Sequence, residues 1–214
     1  MEGKSMFGDI RTEDDWQRAE KRLRALAGEE EFDRVAVIPV EKIVIRQGFR
    51  IYCEENSCGN YGVNYGCPPD CGTPQEMEER VRCYRRALVM QTRMEMDDVE
   101  DAELTREIRR EHNRKAREVG ERLAAEGLSG LLLRPGPCSD CTVCEKLKGK
   151  AGLFTQKRTS CLMAYGIDVT ALAEACGMRI DWDGTSVSYL SLFLYREDRV
   201  GTEYAGDGAT GEGE

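Results

Sequence analysis

Hydrophobic residues recur along this chain with two periods. From Asp14 to Leu26, Trp16, Leu23 and Leu26 stand among charges at the spacing of one helical face, with Thr12 or Asp14 near the start. "DRVAVIPVEKIVIRQGFRIYC" then carries β-branched runs broken by Pro39 and Gly48, a pattern that predicts short strands leading directly into Cys53. Gln75 to Arg86 returns to helical spacing through Met77, Val81 and Tyr84, with Thr73 as a cap and Pro74 at the first helical position. "ALVMQT" follows as a strand. The longest helical pattern is Asp98 to Glu126, where Leu104, Ile108, Val119 and Leu123 form one stripe closed by Gly127.

In the second half, "LSGLLLRPG" reads as a buried strand, Val169 to Cys176 as a short helix ended by Gly177, "MRIDW" as a strand and "SVSYLSLFLYR" as a long strand. These elements predict an α/β or α+β fold: a mixed sheet flanked by helices, carrying two cysteine-rich loops that meet at a sheet edge. From Gly201 onward, five glycines and four acids fill 14 residues without a large aliphatic side chain, so residues 201–214 are expected to be a disordered tail behind a single domain over residues 1–200.

Composition narrows the function classes. With 214 residues, 40% of them hydrophobic, the chain can bury a core without disulfide staples. No stretch reaches the roughly 18 apolar residues of a membrane span, and Met1 to Arg22 has no apolar signal core. The expectation is a cytoplasmic protein with no membrane partner. The net charge of -9 offers no basic surface for a phosphate backbone, so nucleic acid is not an expected partner. Arg106, Arg109, Arg110, Arg114, Lys115 and Arg117 do cluster, but Glu107, Glu111 and Glu118 lie between them, which predicts a solvated, ion-paired helix face.

Ten cysteines in a reducing compartment point to metal or thiol chemistry. One group is Cys53-x4-Cys58-x8-Cys67-x3-Cys71; the other is Cys138-x2-Cys141-x2-Cys144, with Cys161 downstream. Three cysteines at two-residue intervals let a short loop wrap the corners of a cubane and begin the bacterial ferredoxin pattern. Structural zinc more often takes paired hooks from separate loops. The first loop adds glycines at 59, 62, 66 and 72, which let the backbone approach sulfur and donate amides to it. Tyr61 and Tyr65 are expected to wall that site. Cys83 and Cys176 fall inside helical patterns and are expected to be buried packing residues.

Other chemistry has little support. The single histidine, His112, lies on the stripe of the long helix, where packing or hydrogen bonding is the expected role. "GNYGVNYG" lacks the lysine and hydroxyl of a phosphate loop. Asp97 and Asp98 read as a helix start.

The motifs "CGNYGVNYGCPP", "GPCSDCTVC" and "AYGIDV" together resemble a family of cysteine-rich predicted metal-binding proteins, catalogued as a domain of unknown function, over about Val35 to Tyr195. The resemblance implies metal binding through Cys53, Cys58, Cys67, Cys138, Cys141 and Cys144, and no established reaction. Relatives of this kind carry a Cys-Arg pair where this chain has Gly152-Leu153, and Ser-Met-Glu-Ala where it has Cys161-Leu162-Met163-Ala164. Cys161 is the candidate replacement ligand, and Cys71 stands outside the family pattern. The reading is a protein with one or two iron–sulfur clusters of the [4Fe–4S] type, serving electron transfer with a redox partner protein or a small-molecule substrate. The alternatives are an enzyme with an open cluster iron and a zinc-stabilised binding module.

Overall fold

The computed structural model describes residues 12–138, 145–148, 159–181 and 183–196. The predicted tail from Gly201 lies outside them, as do Cys141, Cys144 and Trp182. Among the described residues, five helices flank a four-stranded sheet in the order β1-β2-β4-β3. The strands are β1 (Arg34–Pro39), β2 (Arg86–Glu95), β3 (Gly130–Leu133) and β4 (Ser186–Tyr195). The α and β mixture is the expected one. All three pairings are antiparallel rather than mixed, which makes the fold α+β.

Helix α1 (Glu13–Glu29) begins at a capping box: Thr12 Oγ1 accepts from Asp15 N, and the Asp15 carboxylate accepts from Thr12 N. Helix α3 (Pro74–Arg82) repeats the device with Thr73 and Glu76 and places Pro74 in its first turn. Helix α4 (Ala102–Ala125) starts later than Asp97 and Asp98 suggested. Its cap is Asp101, which accepts from the amides of Glu103 and Leu104, while Asp98 accepts from Glu100 in the preceding turn. Helix α5 is Val169–Ala175.

Two sequence expectations fail locally. The β-branched run after β1 does not continue as strands: past Pro39 come two short 3-10 turns and a single bridge, Ile45 to Ile167, before helix α2 (Arg50–Glu54). Cys53 therefore sits on a helix. Met178 to Asp181 also forms no strand. It is held instead through its carbonyls and side chains, with Gln91 Nε2 donating to Arg179 O at 2.7 Å and Arg93 Nε donating to the Asp181 carboxylate at 2.8 Å.

The sheet separates two hydrophobic layers because successive side chains of a strand point to opposite faces. On one face Leu88, Met90, Phe193 and Tyr195 pack under α1 and α4, through Trp16, Leu23, Leu26, Ala116, Val119 and Leu123. Ion pairs from Arg22 to Glu126 and from Arg122 to Glu29 and Glu30 tie the two helices together. Leu104 lies outside this stripe, at 39% exposure. On the other face Ala87, Val89, Leu190, Leu192 and Leu194 pack under α3, α5 and the turn from Leu162 to Ile167, and this layer contains Cys71. The cysteine region thus lies over a sheet face, where the sequence had suggested a sheet edge.

Candidate metal centre

The first loop is built by asparagine and glycine. Asn56 adopts φ 53° and its Oδ1 accepts from Tyr61 N at 2.9 Å. Asn60 donates to Cys58 O at 2.6 Å and accepts from Asn64 Nδ2 at 3.3 Å. Buried Asn64 accepts from Gly66 N at 3.0 Å through Oδ1 and hydrogen-bonds the Cys67 side chain. Short-side-chain amides offer the backbone local partners that regular structure would otherwise supply. The loop closes where Gly62 N donates to Pro68 O at 2.8 Å and Cys71 N donates to Cys67 O at 3.2 Å. Cys67 and Cys71 are buried, Cys53 is half-buried and Cys58 is exposed.

Cys161 joins this loop from the other half of the chain. Its sulfur accepts from Ala164 N at 3.3 Å at the start of the Leu162 to Ile167 turn. A thiolate at Cys58, Cys71 or Cys161 would raise both Cys53 and Cys67, and one at Cys71 or Cys58 would raise Cys161. Five of the eight sequence-predicted site cysteines therefore form one electrostatic neighbourhood. Cys138 approaches from the second loop: a Cβ placed on Gly66 would lie 2.9 Å from Cys138 Cβ and 2.5 Å from Thr159 O. Only glycine allows that contact. Lys146 also crosses between the loops, pairing with Asp70 and resting 5.9 Å from the Tyr65 ring centroid. Tyr61 is at the loop surface. Cys141 and Cys144, the remaining predicted ligands, lie outside the described residues.

Burial governs the thiols. It pushes Cys53 up to about 11, with the Cys161 charge adding to the rise and Arg50 opposing it. It pushes Cys67 up to about 12 against the hydrogen bond from Asn64, and it raises Cys161 as well. At neutral pH these three are protonated in the metal-free chain, so a bound metal must displace their protons. Among the described residues, no three Cys, His, Asp or Glu side chains surround one point as a single ion requires. The sulfurs are neighbours, not a formed coordination shell.

Sequence reasoning missed the cation beside them. Arg50 on α2 is 9% exposed; Nη2 donates to Gly72 O at 2.9 Å and reaches Met77 Sδ at 3.2 Å, and Nη1 stands 3.8 Å from Cys71 Sγ. Its Nε is buried without a hydrogen-bond partner. The only signal in the sequence is the three-residue spacing to Cys53, which becomes meaningful once α2 is known to be a helix. A buried spare donor amid soft sulfur ligands fits a group that carries negative charge once bound, such as a thiolate-ligated metal or cluster.

Two cysteines fall outside the centre. Cys176 is half-buried against the core, close to expectation, with burial pushing its thiol up to about 11. Cys83 is exposed, contrary to expectation. Met77 and Val81 turn one face of α3 to the sheet, and Cys83, two residues past Val81 at the end of the helix, comes out on the opposite side. His112 has the structural role expected of it, on the far side of the sheet: Nδ1 pairs with Thr92 Oγ1 at 2.9 Å and Nε2 with Ser191 Oγ at 2.8 Å. On the charged face of α4, Arg114 pairs with Glu111 and Glu118 as read.

A family model described as "Predicted metal-binding protein (DUF2284)" matches residues 36–195, and the chain belongs to that family. No curated protein and no solved structure matches it. No helix among the described residues is long and apolar enough to cross a membrane.

Proposed function

We propose that this member of a predicted metal-binding family holds one or two iron–sulfur clusters, of the [4Fe–4S] type, in its cysteine layer and serves as an electron carrier. The observation that carries the reading is the gathering of Cys53, Cys58, Cys67, Cys71 and Cys161 into one neighbourhood against which Cys138 is seated. Thiolates are the ligands that iron–sulfur clusters use, and such a cluster, when bound, supplies one-electron chemistry at a potential set by charge, hydrogen bonds and exposure.

This chain's own residues would set those terms. Asn64 hydrogen-bonds Cys67, the Ala164 amide donates to Cys161, and Arg50 brings positive charge to Cys53 and Cys71. Hydrogen bonds to sulfur and nearby cations both favour a more negatively charged state of the site. The exposed Cys58 gives the neighbourhood its nearest approach to solvent. The binding partner would be a redox protein or a small electron acceptor reaching that side.

Purification under anaerobic conditions, followed by iron, sulfide and zinc analysis, tests the reading. Iron and acid-labile sulfide in equal amounts, with broad visible absorption that bleaches on reduction, are expected. A colourless protein that carries zinc and neither iron nor sulfide would replace the electron carrier with a zinc-stabilised module.

A further inference from the structure

Among the described residues, Arg50 is one of two buried arginines, and no carboxylate pairs with it. Of its guanidinium contacts, one is a carbonyl, Gly72 O at 2.9 Å, and the other two are sulfurs, Met77 Sδ at 3.2 Å and Cys71 Sγ at 3.8 Å. No salt bridge to Arg50 is present among the described residues. The side chain is 9% exposed and its Nε donor is orphaned. Burying an unpaired guanidinium is costly, and the group cannot shed its proton to avoid the cost. A nearby anionic group would offset it, and the side-chain atoms that touch the guanidinium are sulfurs, one of them the Cys71 thiol.

We propose that Arg50 is the internal counter-ion of the cysteine site, offsetting the negative charge that its thiolates carry when they hold metal. It is a positioning residue and not a ligand. Its place follows from local geometry: Arg50 and Cys53 are three residues apart on α2, so the guanidinium and the thiol share one side of the helix. Met77 on α3 closes the other side, and the Gly72 carbonyl fixes the orientation of the fork. The inference rests on the reading of the cysteine layer as a metal site, but it holds for a cluster or for a single thiolate-bound ion, because both leave net negative charge on the sulfurs.

The sign of the effect follows. One-electron reduction of a cluster adds negative charge to an already anionic site, so a nearby cation stabilises the reduced form more than the oxidised form. Arg50→Gln should therefore lower the equilibrium constant for reduction by about tenfold, a fall of ~59 mV for a one-electron couple. Arg50→Lys keeps the charge and should recover most of that shift.

The experiment is a dithionite redox titration of the anaerobically prepared full-length chain as wild type, Arg50→Gln and Arg50→Lys, together with cobalt(II) titration of each apo-protein. A lower potential in the Gln variant, recovered in the Lys variant, and cobalt binding weakened about tenfold by Gln only, are expected. Equal potentials and equal cobalt affinities in wild type and the Gln variant would overturn the proposal. If Arg50→Gln does not fold, the Lys variant decides: potential and affinity near wild type support the counter-ion, and a tenfold loss despite retained charge overturns it. Should the wild type bind cobalt but assemble no cluster, the electron-carrier reading fails, and the cobalt series alone judges Arg50. A wild type that binds neither removes both.

Discussion

The two faces of the sheet are built on opposite principles. One is covered by two long amphipathic helices whose buried residues are almost all aliphatic or aromatic, with ion pairs confined to the rim and a neutral histidine satisfied by two hydroxyls. The other is covered by short helices and a loop held together by asparagine side chains, and it encloses thiols, a buried arginine and an orphaned donor. The first face also holds two buried polar atoms without a hydrogen-bond partner, Asn113 Oδ1 and Tyr195 OH, but both are neutral. The second leaves a cationic donor, Arg50 Nε, without a partner beside a thiol, and that difference in charge supports placing the proposed metal group there.

The largest effect separating the faces is expected from Leu123→Ala. This fully buried α4 side chain packs on the helix-covered face, so its truncation should cost about 2 to 5 kcal/mol in denaturant unfolding. Metal content per folded molecule should stay at the wild-type value. A matching loss of metal would show that the faces are not separable.

Gly66→Ala acts on the other face. Its Cβ would press on Thr159 O and Cys138 Cβ, backbone and near-backbone atoms that cannot swing away. A stability loss of about 1 to 3 kcal/mol is expected, as for other overpacked sites, and here metal content should fall with it. Wild-type metal content in this variant would mean that contact between the two loops is not needed for binding.

The most gradual effect, the smallest at any one pH unit, comes from pH. His112 is 1% exposed, and burial, with a smaller contribution from Lys115, holds it down to about 3. Its folded value is below the unfolded value, so the stability it contributes is fully present above about pH 6.5. Over the window from there to about 3 the unfolded chain binds the extra proton, and this residue alone should remove about 1.4 kcal/mol per pH unit. Denaturant unfolding of wild type and His112→Asn over this range should show a shallower slope in the variant. Parallel slopes would mean that His112 is charged in the fold.

Much of this fold is written in local patterns. The caps at Thr12 and Thr73, Pro74 at the start of α3 and the stripe Ile108, Val119 and Leu123 state their helices directly. What local patterns could not state was tertiary. Ile51 and Tyr52 look like strand residues, yet they lie exposed on α2, because Arg50 and Cys53 are the residues of that turn directed inward. "MRIDW" has strand composition, but Met178 to Asp181 is held by the Gln91 and Arg93 side chains of the interior strand β2 and does not add to a sheet edge. β2 runs on to Glu95 through polar residues because β4 pairs with it throughout. For the site, cysteine spacing was enough to name the candidates. It could not show that Cys161 lies beside the first loop, or that an arginine lies among the thiols, because both depend on chain segments brought together only by the sheet.

If cysteines distant in sequence form one metal-binding layer on a single sheet face, metal loading must protect them together. Differential alkylation with mass spectrometry, comparing the apo-protein with the anaerobically metal-loaded protein, tests it residue by residue. Cys53, Cys58, Cys67, Cys71, Cys138 and Cys161 should lose reactivity together on loading, while exposed Cys83 reacts equally in both states. Protection of the Cys53 to Cys71 loop with Cys138 and Cys161 unchanged, or no protection at any of the six, would contradict it.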